Sequence, residues 1–338
     1  MGEGPACFRS PGASIRVKQC ILAIPPLLER ESQIMKANLA LPLLAAALIS
    51  TATAEHHKAL EEILAPGTEV VKLGGGMKFT EGPVWIPSKK MVVFSDIPNS
   101  RQMQWSEAGG LKEYRKVESS NGNLLDLKGN LLSCQHGGRN VIVTDAEGTI
   151  TILAESFDGK KLNSPNDLAI RADGTIWFTD PSYGLKGRPA EVGGKWVYKL
   201  DPKSGAVSLL YKGHDMPNGI AFSPDEKRVY ISDTGKVGKI RAFAVVAQGM
   251  LGEPLFEIDI RCDGMSLDSQ GNLYTTAGGG IHVFDKDGRK IGVIATPENP
   301  ANVCFGGENY DTLFITARTG LYSVKTLAKG AKPKGAQW

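Results

Sequence analysis

Four side chains bring oxygen to matching points of a repeating pattern: Glu81, Asn166, Asn218 and Asp263. Two carboxylates and two amide oxygens form a hard, all-oxygen donor set. Such a set suits Ca2+, which takes about 6–8 oxygens in flexible geometry with waters completing the shell. Mg2+ and Mn2+ fit as well. Zn2+ fits least, because it favours Cys or His and neither leads a repeat. Any single Asn-Gly or Asp-Gly pair is more often a turn than a ligand. The set gains weight because Glu81 and Asn166 suit pure turns poorly. Pro165 and Pro217 also preset the approach to Asn166 and Asn218.

The elements that must position these residues are visible as a repeat. Lead residues Glu81, Asn121, Asn166, Asn218, Asp263 and Asn302 lie 40, 45, 52, 45 and 39 residues apart. Each precedes, by ten to fifteen residues, an apolar run: 91–96, 131–134, 176–180, 229–233, 273–277 and 313–317. A period near 40–50 built from short strands and turns predicts an all-β fold, a six-bladed β-propeller. Its symmetry would aim the lead side chains at one central metal-binding channel. Asp158-Gly159, Asp173-Gly174 and Asp287-Gly288 supply hairpin turns. Residues 68–73 read as an outer strand, and nothing from 68 to 326 reads as a long amphipathic helix. Asp285-Lys286-Asp287-Gly288 hints at a calcium loop, but Thr296 stands where that loop needs Glu, and a hairpin suffices.

Residues 327–338 read as a frayed basic tail, and 55–67 as a helical lead-in with Leu60, Ile63 and Leu64 on one side. The first 54 residues differ from the rest. Residues 35–54 combine a short basic start, a Leu/Ala run and Ala52-Thr53-Ala54, the pattern of a secretory signal peptide. Residues 1–34 then read as an extension ahead of the true start at Met35. The expected location is secreted, in a bacterial periplasm, with no stable membrane anchor after cleavage. Without residues 1–54 the chain keeps 39 − 5 = 34 basic and 36 − 3 = 33 acidic residues. That balance argues against nucleic acid as a partner. Cys134, Cys262 and Cys304 show no CxxC spacing, so neither a disulfide framework nor a zinc site is expected. The serine-hydrolase, phosphate-loop and zinc-protease motifs are absent from the sequence.

Several motifs together resemble the gluconolactonase and senescence-marker-protein (regucalcin) family: Glu81-Gly82-Pro83-Val84-Trp85, Ser164-Pro165-Asn166-Asp167, Pro217-Asn218-Gly219 and Asp263-Gly264-Met265. The related diisopropyl fluorophosphatase shares the scaffold. Cys134-Gln135-His136-Gly137 and the run from Phe178 to Leu185 look most like the bacterial gluconolactonase branch, with Gln135 a departure from the Glu expected there. The resemblance implies a divalent ion, usually calcium, held by Glu81, Asn166, Asn218 and Asp263, with Asp263 as the catalytic carboxylate. It implies a sugar lactone such as glucono-1,5-lactone as substrate. Hydrolysis of other esters or organophosphates, or a binding propeller with a structural ion, remain as alternatives. Asp263 could orient or deprotonate a water, or attack directly. Asn121, His136, Arg139 and Tyr183 are substrate-binding candidates; His136 could instead shuttle protons or be structural, and Arg139 and Arg101 could simply be solvated. Trp85 reads as core.

Overall fold

The computed structural model describes residues 60–247 and 249–338. The extension 1–34, the signal peptide 35–54 and the start of the lead-in at 55–59 lie outside the described residues.

Six four-stranded antiparallel sheets follow one another along the chain. Blade one runs Thr80–Ile86, Met91–Asp96, Arg101–Ser106 and Gly110–Lys116. Blade two runs Ser120–Leu125, Leu131–Gln135, Asn140–Thr144 and Ile150–Ala154. Blade three runs Leu168–Ile170, Ile176–Asp180, Trp196–Asp201 and Ala206–Tyr211. Blade four runs Pro217–Phe222, Arg228–Asp233, Lys239–Val246 and Met250–Ile258. Blade five runs Met265–Leu267, Leu273–Ala277, Gly280–Phe284 and Lys290–Ala295. Blade six takes Pro300–Gly306, Thr312–Ala317 and Gly320–Lys325, with Val71–Gly75 as its outer strand. The first strand of each blade touches the first strands of both neighbours, closing a ring around the axis. This is a six-bladed β-propeller, and the apolar runs of the sequence are the second strands of its blades.

Those second strands are apolar on both faces because a neighbouring blade covers each face. Trp177, Phe178, Val229, Ile231 and Leu313 are fully buried. The core is a set of clusters between blades: one joins blades two and three, another three and four, another four and five. Each such side chain stabilises the fold by about 1.5–3 kcal/mol. Trp85 belongs to this packing, stacked on Phe314 with ring centroids 5.6 Å apart.

Val71–Gly75 closes the ring by pairing antiparallel with Gly320–Lys325, Val71 opposite Ser323. The strand begins three residues later than the sequence suggested and carries a bulge between Lys72 and Gly74. Leu60 to Leu64 form one helical turn, with Ile63 buried against the core. Gly174 and Gly288 take φ of +85° and +81°, as their hairpins require. The Asp285 carboxylate accepts the amides of Asp287 and Arg289, so that segment is a hairpin turn. Cys134, Cys262 and Cys304 are free thiols.

The C-terminal segment is not frayed. It crosses the face on which the first strands end. Ser269 N–H donates to the Lys329 carbonyl, Ala331 N–H to Leu267 and Gln337 N–H to Leu127. The Trp338 indole donates to the Asp126 carbonyl at 2.7 Å and stacks on Tyr310. Composition suggested a solvated tail; a terminal aromatic with somewhere to dock overrides that, because its buried area outweighs local chain entropy.

Candidate functional site

The lead residues stand where the first strands begin, at the upper face. In four blades the ladder slips there, leaving a bulge between Glu81 and Val84, Ser120 and Asn123, Pro217 and Ile220, and Pro300 and Asn302. A bulge re-aims side chains that regular pleating would turn away. Glycine follows the lead residue in four blades because adjacent strands crowd the axis. A Cβ on Gly82 would lie 2.2 Å from the Asn121 carbonyl oxygen, and one on Gly264 2.0 Å from Asn302 Cγ. The Asn-Gly and Asp-Gly pairs of the lead positions are therefore strand entries that permit close approach, and not hairpin turns.

Two repeated devices fix these entries. In blades one, three and four the second strand ends in a buried aspartate that accepts amides from the segment entering the same blade. Asp96 takes Lys78 and Phe79, Asp180 takes Asn163 and Ser164, and Asp233 takes Asp215 and Met216. Each clamp grips the chain just ahead of Glu81, Asn166 or Asn218. Hydroxyls on the second strands also tie each blade to the next: Ser95 Oγ donates to the Asn121 carbonyl at 2.7 Å, Thr179 Oγ1 to Asn218 at 2.6 Å and Ser232 Oγ to Asp263 at 3.1 Å.

Glu81 is buried, and its carboxyl titrates well above the ordinary range, through burial first and then the charges of Asp263 and Asp167. Burial likewise pushes Asp263 up to about 6, offset in part by hydrogen bonds from the Asn218 amide and from Glu81. Asp263 keeps partial solvent access, so protein surrounds it on most sides while the channel mouth wets it. Asp167, raised to about 7 by burial, approaches the same point from blade three. Asn302 contacts both acids: its amide hydrogen-bonds Glu81 and reaches Asp167 Oδ2 at 3.5 Å. Asn166 and Asn218 are buried, the Asn218 amide hydrogen-bonding Asp263 and donating to Thr234 Oγ1 at 3.3 Å. Among the described residues, no three or more His, Cys, Asp or Glu side chains form a metal-holding group. The candidate set draws on amide oxygens for half its donors.

The substrate-binding candidates divide. Asn121 Nδ2 lies 3.1 Å from His136 Nε2, and Asn121 Oδ1 is buried without a partner. Burial, reinforced by Lys186 and Arg188, lowers His136 to about 4, so its ring is neutral at physiological pH and accepts the amide proton. Tyr183 is half-exposed at the upper rim, its hydroxyl 2.6 Å from Thr234 Oγ1. Arg139 lies apart from the mouth: it donates to the Leu162 and Lys161 carbonyls and pairs with Glu191 at 3.0 Å. Arg101 is paired with Asp96. Sequence reasoning passed over three residues placed in or beside the site: Asp167, Thr234 and Asn302. The first follows a lead residue directly and the last is itself a lead residue; Thr234 carried no signal.

The arrangement brings the buried carboxyls of Glu81, Asp167 and Asp263 within electrostatic reach of one another, with the Asn218 and Asn302 amides hydrogen-bonded to them. It can concentrate a cation and offer a base close to neutral pH. The sequence matches the family described as SMP-30/Gluconolactonase/LRE-like region over residues 79–319. It is similar to the gluconolactonase of Zymomonas mobilis, 29% identical over 303 residues, covering 80% of this chain and 85% of that protein. Its structure is similar to that of a gluconolactonase from Xanthomonas campestris, 34% identical, with a TM-score of 0.75, covering 79% of this chain and 92% of that one. It also shares its fold with a regucalcin of Agrobacterium tumefaciens described as calcium-binding, at 22% identity and a TM-score of 0.65, covering 79% of this chain and 96% of that one. With the match spanning most of the propeller, the chain belongs to the SMP-30/gluconolactonase/LRE-like family.

Proposed function

We propose that the protein is a divalent-cation-dependent hydrolase that opens a sugar lactone of the glucono-1,5-lactone type to its aldonic acid. The gluconolactonases of Zymomonas mobilis and Xanthomonas campestris support the reaction class. The observation that carries the site is that Glu81, Asp263 and Asp167 come within electrostatic reach of one another at the mouth, each carboxyl raised first by burial.

These residues fit a divalent cation. Two carboxylates, Glu81 and Asp263, with the amides of Asn166 and Asn218 would hold it, and the calcium-binding regucalcin relative supports Ca2+ first, with Mg2+, Mn2+ or Zn2+ as substitutes. When bound, such an ion supplies positive charge facing the oxyanion that develops on a lactone carbonyl. Asp263 would take a proton from the attacking water as general base. The ring oxygen leaves as a hydroxyl and takes a proton, and the product is a carboxylate. Asn218, tied to Thr234 and Asp263, orients that base. Asn121 offers its unpartnered Oδ1 to a substrate hydroxyl, and His136 holds the amide in that orientation. Secretion through the 35–54 leader into the periplasm is part of this reading.

Ring opening of glucono-1,5-lactone by the full chain with Ca2+, read above the uncatalysed rate, tests the proposal against simple aryl esters and an organophosphate. Turnover of the lactone with little of the others is expected. Hydrolysis of the esters with the lactone left at its background rate would overturn the substrate class.

A further inference from the structure

The upper mouth is charged in two layers. Acids line the throat, while Lys186, Arg188, Arg261 and Arg318 stand around the rim. None of these four forms an ion pair among the described residues. Of the neighbouring loop acids, Glu191 is engaged by Arg139 and Asp215 by Lys195, while Glu118, against Gly137, is exposed and in no ion pair among the described residues. Arg318 acts electrostatically on Asp263, Arg261 on Tyr183, and Lys186 and Arg188 on His136.

Arg188 is the fixed member. Its Nε donates to the Leu185 carbonyl at 3.1 Å, Nη1 to Gly137 at 2.7 Å, and Nη2 to His136 and Gly184 at 2.7 Å each. Carbonyl acceptors hold a guanidinium in place without cancelling its charge. The contacts pin the blade-three loop against the blade-two loop that carries His136. Between them lies a pocket of about 200 Å3 lined by Ser119, His136, Gly137, Gly184, Lys186 and Arg188. It adjoins the Asn121 amide through His136. A pocket with two cations and no carboxylate, beside a point where an ester would react, recognises an anion.

We propose that this rim selects lactones carrying a second, anionic group away from the ring ester, such as a phosphate or carboxylate, seated between Lys186 and Arg188. The proposal rests on the lactone-hydrolase reading and deepens it by naming the substrate class. Lys186 is exposed and makes no ion pair among the described residues, so it supplies specificity while Arg188 supplies the frame.

The test compares 6-phosphoglucono-1,5-lactone with glucono-1,5-lactone on the full chain and on Lys186→Gln, with Ca2+, above uncatalysed opening. The wild type is expected to prefer the phosphorylated lactone by about tenfold in kcat/KM at low salt, and the preference shrinks as salt screens the rim. Lys186→Gln raises KM for the phosphorylated lactone about fivefold and leaves the neutral one within about twofold. Equal effects on both lactones, or no preference in the wild type, overturn the proposal. Calorimetric binding of 6-phosphogluconate against gluconate separates the two levels. Selective binding lost in Lys186→Gln with no lactone turnover sinks the hydrolase reading and keeps the anion site. Equal binding of the two acids sinks the anion site whatever the turnover.

Discussion

At the upper end of the channel, Asn121 Oδ1 is buried without a partner and burial raises the carboxyls of Glu81, Asp167 and Asp263, none of which forms an ion pair among the described residues. At the lower end the same six first strands enclose a cavity of about 170 Å3 with walls from Val84, Leu124, Ile170, Ile220 and Val303. There the chain's own C-terminus supplies the floor, Trp338 docking on Tyr310 and on the Asp126 carbonyl. The cavity reaches up to Asp167 and Asn302, and the Tyr310 hydroxyl is buried without a partner at its foot, so the two ends differ in degree: acids gather at the upper one, and mostly apolar side chains covered by the chain's own terminus at the lower. In the proposed reading, strand starts carry chemistry and strand ends carry stability. Substitutions at the two ends should separate cleanly into lost turnover and lost folding.

The largest separation belongs to Asp263→Asn. It removes the proposed base and should lower kcat/KM by about 10²–10⁴-fold. The unfolding midpoint should hold or rise, because a buried like charge beside Glu81 is gone. A variant that loses its fold together with its activity would collapse the distinction. His136 gives the next effect, this time on stability. Its pKa is about 4 when folded against an ordinary 6.5, so the unfolded chain takes up the proton first as pH falls. The stability is whole above about 6.5 and drains away toward 4, by about 3 kcal/mol in all. Denaturation of His136→Gln across that window should show a flatter slope than the wild type. An unchanged slope would remove His136 as the neutral holder of Asn121.

Trp338→Ala sharpens the lower end. Losing a half-buried indole and its hydrogen bond should lower stability by about 2 kcal/mol, equally at every pH, with kcat of the folded fraction unchanged. A fall in kcat would join the floor to the chemistry. The smallest effect is Thr234→Val, which deletes the hydroxyl shared by Tyr183 and Asn218. It should lower kcat about fivefold with little change in melting temperature, the size of one lost hydrogen bond. A shift in melting temperature with intact kcat would make Thr234 a packing residue.

The blade count and the second strands were legible because covered strands must be apolar on both faces, and 91–96, 176–180 and 273–277 match strands residue for residue. The lead residues were legible because their types recur in step with those strands. The closing strand was placed early, since register across the ring depends on the partner Gly320–Lys325, some 250 residues away in sequence. Lys-rich composition hid the floor made by 329–338, whose contacts are backbone hydrogen bonds and one terminal ring. Arg139 looked like an anchor because its position in the chain says nothing about the Leu162 carbonyl and Glu191 that engage it. Asp167 sat inside a quoted motif and Asn302 among the lead residues, yet their approach to Glu81 needs blades three, six and one folded together. The clamps of Asp96, Asp180 and Asp233 appeared in sequence only as acids ending apolar runs; their purpose is visible in the amides they accept.

The central claim is that the upper mouth hydrolyses a lactone with a bound divalent ion. It is met most directly by stripping the full chain of metal and returning Ca2+ in steps. Ion binding would be followed by calorimetry and glucono-1,5-lactone opening by pH indicator on the same samples. The account predicts that one site fills, that the rate above background rises in proportion to its occupancy, and that Asp263→Asn weakens both. Full activity in the stripped protein, or calcium uptake with the lactone left at its spontaneous rate, would contradict it.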